Sequence, residues 1–173
     1  MALTSAQVSL TIAAQLAGAL NAGTSTAAIA STYSTALGAT LASGAGLSDR
    51  AWWDHRTLAA SASENLDLAG VLVDPFGVLA SFARIKVLVV NADAANTNNV
   101  VVGGAGSNTL LGLFGAATHT AIVRPGTTLA WVTGTADATG YPVVSGTGDL
   151  LQIANSGAGT SVSYSVAVIG VSV

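Results

Sequence analysis

Asp54 and His55 are adjacent, His119 is the only other histidine, and serines abound, so every residue type of a Ser/His/Asp triad is present. That chemistry needs its nucleophile on a strained turn, and no G-x-S-x-G stretch occurs. In a strand, residues 54 and 55 face opposite ways and cannot pair directly. The expectation is no catalytic residue, with His55 and Arg56 at the rim of a tryptophan-bearing strand. Asn91, Asp93, Asn96, Asn98 and Asn99 carry the oxygen ligands that calcium takes. A single carboxylate binds weakly, however, and Asn and Asp are the usual turn formers, so this group reads as turns. Asp67 and Asp74 are isolated, and no two acids have a glycosidase spacing. Gly103-Gly-Ala-Gly106 has the composition of a phosphate-cradling loop. The segment after it is short and broken by Gly112 and Gly115, so it reads as a glycine-rich turn. With no cysteine, disulfides and thiolate metal sites are excluded. Neither a metal nor a cofactor is expected.

The aromatic residues say more. Trp52 and Trp53 are neighbours, so on a strand one faces a core and the other faces out. Trp53 shares its register with His55 and Thr57 and is expected outward. Trp52 aligns with Asp54, Arg56 and Leu58. Tryptophan is enriched among interface anchors. Phe76 and Phe114 sit in loop-like stretches beside Gly77 and Gly115. Each can plug its own core or anchor a neighbour. Trp52, Trp53, Phe76 and Phe114 are the candidate interface residues.

The elements that must carry them are strands. Twenty glycines punctuate the chain, and from Trp52 onward the segments between them are short, apolar and β-branched. Strand patterns occupy residues 51–59, 65–69, 81–91, 100–102, 118–124, 127–133, 149–154 and 161–173. In 81–91, strict alternation puts Phe82, Arg84, Lys86, Leu88 and Val90 on one face. Ala83, Ile85, Val87 and Val89 take the other. Pro125-Gly126 is a turn, and 155–159 reads as a hairpin loop. Residues 5–21 suit a helix by alanine content, yet Val8, Leu10 and Ile12 alternate with Ser9 and Thr11. Residues 31–42 lean towards strand, so strands are preferred for this part. The prediction is an all-β, antiparallel sandwich of jelly-roll-like form over 47–173, with residues 1–46 as an arm or first strands.

Composition bounds the function. Five Lys/Arg and eight Asp/Glu make 8% charged, against about 25% in ordinary soluble domains. A surface so poor in charge lacks what keeps monomers dispersed, which suggests a chain covered by copies of itself or by a larger particle. The strongest apolar run, 85–90, contains Lys86 and is far short of the ~20 residues of a membrane helix. Net charge −3 with scattered basic residues argues against nucleic acid. The first residues lack the basic stretch and apolar core of a signal peptide, so synthesis in a cytoplasm is expected.

Several segments occur together in order: TLAASASENLDLAG at 57–70, FARIK at 82–86 with Asn91, and NNVVVGG at 98–104. VRPG at 123–126, DATGYPV at 137–143, GTGDLLQIANSG at 146–157 and the stretch 164–170 complete the set. Over residues 49–172 the chain resembles small structural proteins, head decoration among them, of tailed bacteriophages. The resemblance implies a β-sandwich virion component without catalytic residues. The function expected is capsid decoration (cement), with partners being further copies, as a trimer, and the major capsid protein. The alternative is a fibre, spike or tail-associated module binding a host glycan through a tryptophan, with His55, Asn98 and Asn99.

Overall fold

A computed structural model describes residues 3, 6–20, 23–39, 44–74 and 76–172. Positions 21, 22, 40–43 and Pro75 lie outside the described residues, so part of the β-leaning stretch 31–42 is not placed. Strand is the dominant regular structure among the described residues, with a single helical turn, and no helix among them is long and apolar enough to cross a membrane.

Eight strands form the main body: β4 (Arg50–Leu58), β5 (Ser63–Asp67), β6 (Arg84–Ala92), β7 (Val100–Gly103), β8 (Thr120–Val123), β9 (Thr128–Val132), β11 (Leu150–Asn155) and β12 (Val162–Val171). The first pairs with the last, β5 with β11, β6 with β9, and β7 with β8, all antiparallel. Further pairing of β6 with β12 and of β7 with β11 closes two sheets. That is a jelly roll: one long antiparallel ribbon folded onto itself. Short β10 (Tyr141–Pro142) continues the β6 edge beside β9.

Alternation makes the core. β12 buries Val162, Tyr164, Val166 and Val168 and leaves the residues between them half-buried; β11 buries Leu151 and Ile153 in the same way. These meet Trp52 and Leu58 from β4, Leu66 from β5, Leu88 and Val90 from β6 and Val100 and Val102 from β7 in one cluster. Each such side chain contributes about 1.5–3 kcal/mol by leaving water.

Two expectations need correction. Residues 155–159 do not form a hairpin: β11 belongs to the four-stranded sheet and β12 to the five-stranded one, so the loop arches between layers. Asn155 holds the arch, donating to the Ala59 and Thr160 carbonyls at 3.0 and 2.8 Å. Local turn chemistry is the same for a hairpin and an arch; the partner strand decides. Alternation in β6 is also interrupted. The β12 register steps from Ile169, opposite Val87, to Gly170, opposite Ile85, leaving one extra residue on β6. Ile85 therefore joins the core with Leu88 and Val90, while Lys86 leaves that cluster. Lys86 is buried beneath another loop, where Nζ donates to the Asp137 carbonyl at 2.6 Å.

Ahead of the jelly roll, β1 (Ala6–Leu20) and β2 (Gly23–Ala39) form a long antiparallel hairpin with continuous register from Ala6–Leu37 to Leu20–Gly23. The strand preference holds there because alternation, not alanine propensity, matches the structure formed. Gly38 and Ala39 pair in parallel with β3 (Leu47–Ser48), which leads into β4.

Candidate interaction surfaces

β4 is the edge of the five-stranded sheet, so its two faces meet different surroundings. Trp52 faces in, is 2% exposed, and its indole N–H donates to the Val73 carbonyl at 3.1 Å. Trp53 faces out and is 55% exposed. Trp52 is therefore a core residue, and of the two rings only Trp53 is available to a partner. The register continues its row as Ala167 on β12, Val89 on β6 and Ala130 on β9. The next row is Ala51, Ile169, Val87 and Val132, of which Val87 is itself buried. Two adjacent rows on the outer face thus carry no polar side chain. The row beyond turns polar: His55, Ser165, Asn91 and Thr128.

Phe76 lies on a second surface. Residues 71–79 fold as a tight excursion, with Val73 bridged to Leu79. The Asp74 carboxylate accepts the backbone N–H groups of Phe76 and Val78, both at 2.9 Å, and Gly77 turns the chain at φ 81°. The rigid turn exposes Phe76 by 65% and Val71 by 68%, with Val73, Val78 and Leu79 also exposed. Sequence reasoning picked out Phe76 but missed these four aliphatics. The signal was present: five large apolar residues flank a D-P-x-G turn too short to give both its sides a core. Phe114 behaves differently. It ends a single helical turn, α1 (Leu111–Phe114), and packs edge-on against Trp131 with centroids 5.5 Å apart. It plugs its own core. A Cβ on Gly103 (φ 99°) would lie 2.9 Å from the Phe114 ring and 2.7 Å from the His119 carbonyl, so the glycine run is what lets this plug seat.

Between β4 and β5, both at sheet edges, the sandwich is closed by charge. Arg56 binds Glu64 through Nη1, donates through Nε to Asp54 at 3.0 Å, and its guanidinium carbon lies 5.8 Å from the Trp52 ring centroid. Glu64 also accepts the Tyr164 hydroxyl at 2.7 Å. Beside this network a cleft of about 390 Å³ is lined by Trp52, Asp54, Arg56, Asn65, Leu66 and Val71 to Val73. Burial, then the hydrogen bond and charge of Glu64, hold the Tyr164 phenol far above its ordinary 10.0. The folded state keeps that proton where the unfolded chain loses it. Its stabilisation is thus complete below pH ~10 and declines above it by about 1.4 kcal/mol per pH unit. Lys86 acts in the opposite sense: burial lowers its pKa from 10.5, so its contribution improves as pH rises towards that value. Urea unfolding from about pH 9 to pH 11 should show a decline that Tyr164→Phe flattens relative to the unaltered chain. An unchanged slope in that variant would assign the alkaline loss elsewhere.

The remaining candidates are absorbed by the scaffold. His55 pairs with Asp93 across the sheet at 3.2 Å, while Asp54 accepts the His55 backbone N–H and turns to Arg56. Asn91 donates to Thr128 Oγ1, Asn96 exchanges two hydrogen bonds with the Ser163 backbone, and the Asn98 amide donates to Asn155 and Thr160. These amides tie turns together, and Asn98 and Asn99 lead into the sheet opposite Trp53. Comparison with protein families, curated proteins and solved structures found no match to the chain.

Proposed function

We propose that the protein is a non-enzymatic virion component of a tailed phage: a capsid decoration protein that stabilises the head by contacts across capsid subunits. The observation that carries this reading is the pair of apolar surfaces, the loop 71–79 and the Trp53 rows, on a chain with thirteen charged residues. Contiguous exposed apolar surface on a folded domain marks a place meant to be covered. Covering it across joints between shell subunits removes apolar area from water at every joint. The jelly roll is a scaffold for viral capsid and lectin domains alike, so the reading rests on these surfaces and on the resemblance over residues 49–172. Particles lacking the protein should lose resistance to heat and low salt, and complete particles should carry it in hundreds of copies. Equal resistance with and without it would end the cement reading.

The cleft beside Arg56 favours a second reading, a fibre, spike or tail module that binds a glycan. Asp54, Arg56 and Asn65 supply donors and acceptors next to an apolar wall. That role needs few copies per particle, so stoichiometry from a stained gel of whole virions separates the two.

A further inference from the structure

The exposed loop 71–79 and the cleft beside Arg56 form one surface, because Val71 and Val73 belong to both. Around that surface the charge of the chain is unevenly placed. Asp54 lines the cleft, and Glu64, Asp67 and Asp74 are each next in sequence to a lining residue; Arg56 is the one base in this group. These four acids and one base carry −3, which is the net charge of the whole chain. The other four acids and four bases cancel. Arg56 is already held by Asp54 and Glu64. Asp67 and Asp74 use Oδ1 to hold their own turns, accepting from Ala69 in one case and from Phe76 and Val78 in the other. Oδ2 of each takes no hydrogen bond among the described residues. An exposed apolar ridge thus stands beside carboxylate oxygens that still have room for a donor.

We infer that this surface docks a basic and apolar segment of another protein, with an arginine or lysine meeting the carboxylates and a large apolar side chain covering Phe76 and Val78. The inference rests on the reading of loop 71–79 as a surface that assembly covers, and it names the chemistry of the cover. Charge decides against the other occupants. The same face of a second copy brings its own −3, and like charges placed together repel. Anionic lipid and nucleic acid are repelled in the same way. A neutral glycan gains nothing from an excess of acid. A cationic segment gains twice: its approach is steered by the field, and its charge is paired on contact. The apolar ridge then supplies area to remove from water.

The test uses the full chain and two short labelled peptides, one alternating arginine with leucine and one alternating glutamate with leucine, followed by fluorescence anisotropy at about 0.15 M salt. The basic peptide should bind and the acidic one should not. Phe76→Ser should weaken binding about tenfold, while Ile122→Ser, which removes an apolar side chain nearly as exposed on β8, should leave it unchanged. Asp74→Asn keeps an oxygen for the turn and drops the charge. It should weaken binding about threefold, whereas Asp93→Asn, with the same change in net charge, should not. All four side chains reach solvent, so thermal melting of the variants should stay close to that of the unaltered chain. An unaltered chain that ignores the basic peptide would overturn the inference. So would binding that is indifferent to Phe76→Ser, or equal losses in Asp74→Asn and Asp93→Asn. Particles that need the protein for stability, with no peptide binding, would keep the decoration reading and end this inference; the reverse pair of results would end the decoration reading and keep the docking site.

Discussion

Trp52→Ala should lower the melting temperature by roughly 6–20 °C, whereas Trp53→Ala, one residue away, should leave it nearly unchanged. Trp52 is at the centre of several contacts at once. Its ring is buried in the core cluster, its N–H holds the Val73 carbonyl at 3.1 Å, and the Arg56 guanidinium lies over it. Truncation opens a cavity, leaves a carbonyl without its donor and removes the floor beneath a charged network. Large-to-small changes of this kind cost about 3–5 kcal/mol, a large share of the ~5–15 kcal/mol that holds a domain together. At about 2–4 °C per kcal/mol for a chain of this size, the shift is easily read. Trp53 leaves no cavity when truncated, because its ring is more than half exposed. If Trp53 anchors a partner, its loss should instead cost ~2 kcal/mol or more of binding. Thermal unfolding of both variants beside particle binding checks the pair. Equal melting losses would show that neither ring belongs to an interface.

Gly170→Ala should be nearly as damaging, although it adds a single methyl group. A Cβ there would stand 2.1 Å from the Arg84 carbonyl oxygen and 3.0 Å from the Phe82 ring. A backbone oxygen cannot rotate aside, so the β6–β12 pairing must open at its bulge. The same corner ties β3 and β4 to β12. Asp49 N–H donates to the Gly170 carbonyl at 3.0 Å, and the Asp49 carboxylate accepts the Ser172 N–H and hydroxyl at 2.8 and 2.7 Å. Overpacking that displaces backbone falls at the upper end of the usual range, about 3 kcal/mol. Gly134→Ala is the control: no atom lies within 4 Å of its Cβ position, so the change should be neutral or slightly stabilising. Urea unfolding of the two variants gives the comparison. A Gly170→Ala chain as stable as Gly134→Ala would mean that the pairing at this corner adapts freely.

Much of this was legible in the residues, because alternation and glycine spacing are local. A run such as Val162 to Val168 must bury every second side chain wherever its strand pairs, and neighbouring tryptophans must part company across a strand. Hence the all-β class, the strands and the outward face of Trp53 followed from sequence. Partnership between strands is not local. Nothing around Asn155 distinguishes a hairpin from an arch; the choice depends on Leu151 and Ile153 packing in one layer and Val162 and Tyr164 in the other. The bulge at Gly170 is equally hidden, since it arises from a close approach to Arg84, 86 residues earlier in the chain, and it takes Lys86 out of the face that simple alternation assigns. The surfaces divide in the same way. The scarcity of charge is read from composition alone, whereas which apolar residues stay exposed depends on how the strands pair. Only the folded register lines Trp53 up with Ala167, Val89 and Ala130, and only the turn at Asp74 holds Phe76 and its neighbours away from the core. Composition sets how much apolar surface the chain has to bury, and tertiary pairing decides which part stays outside.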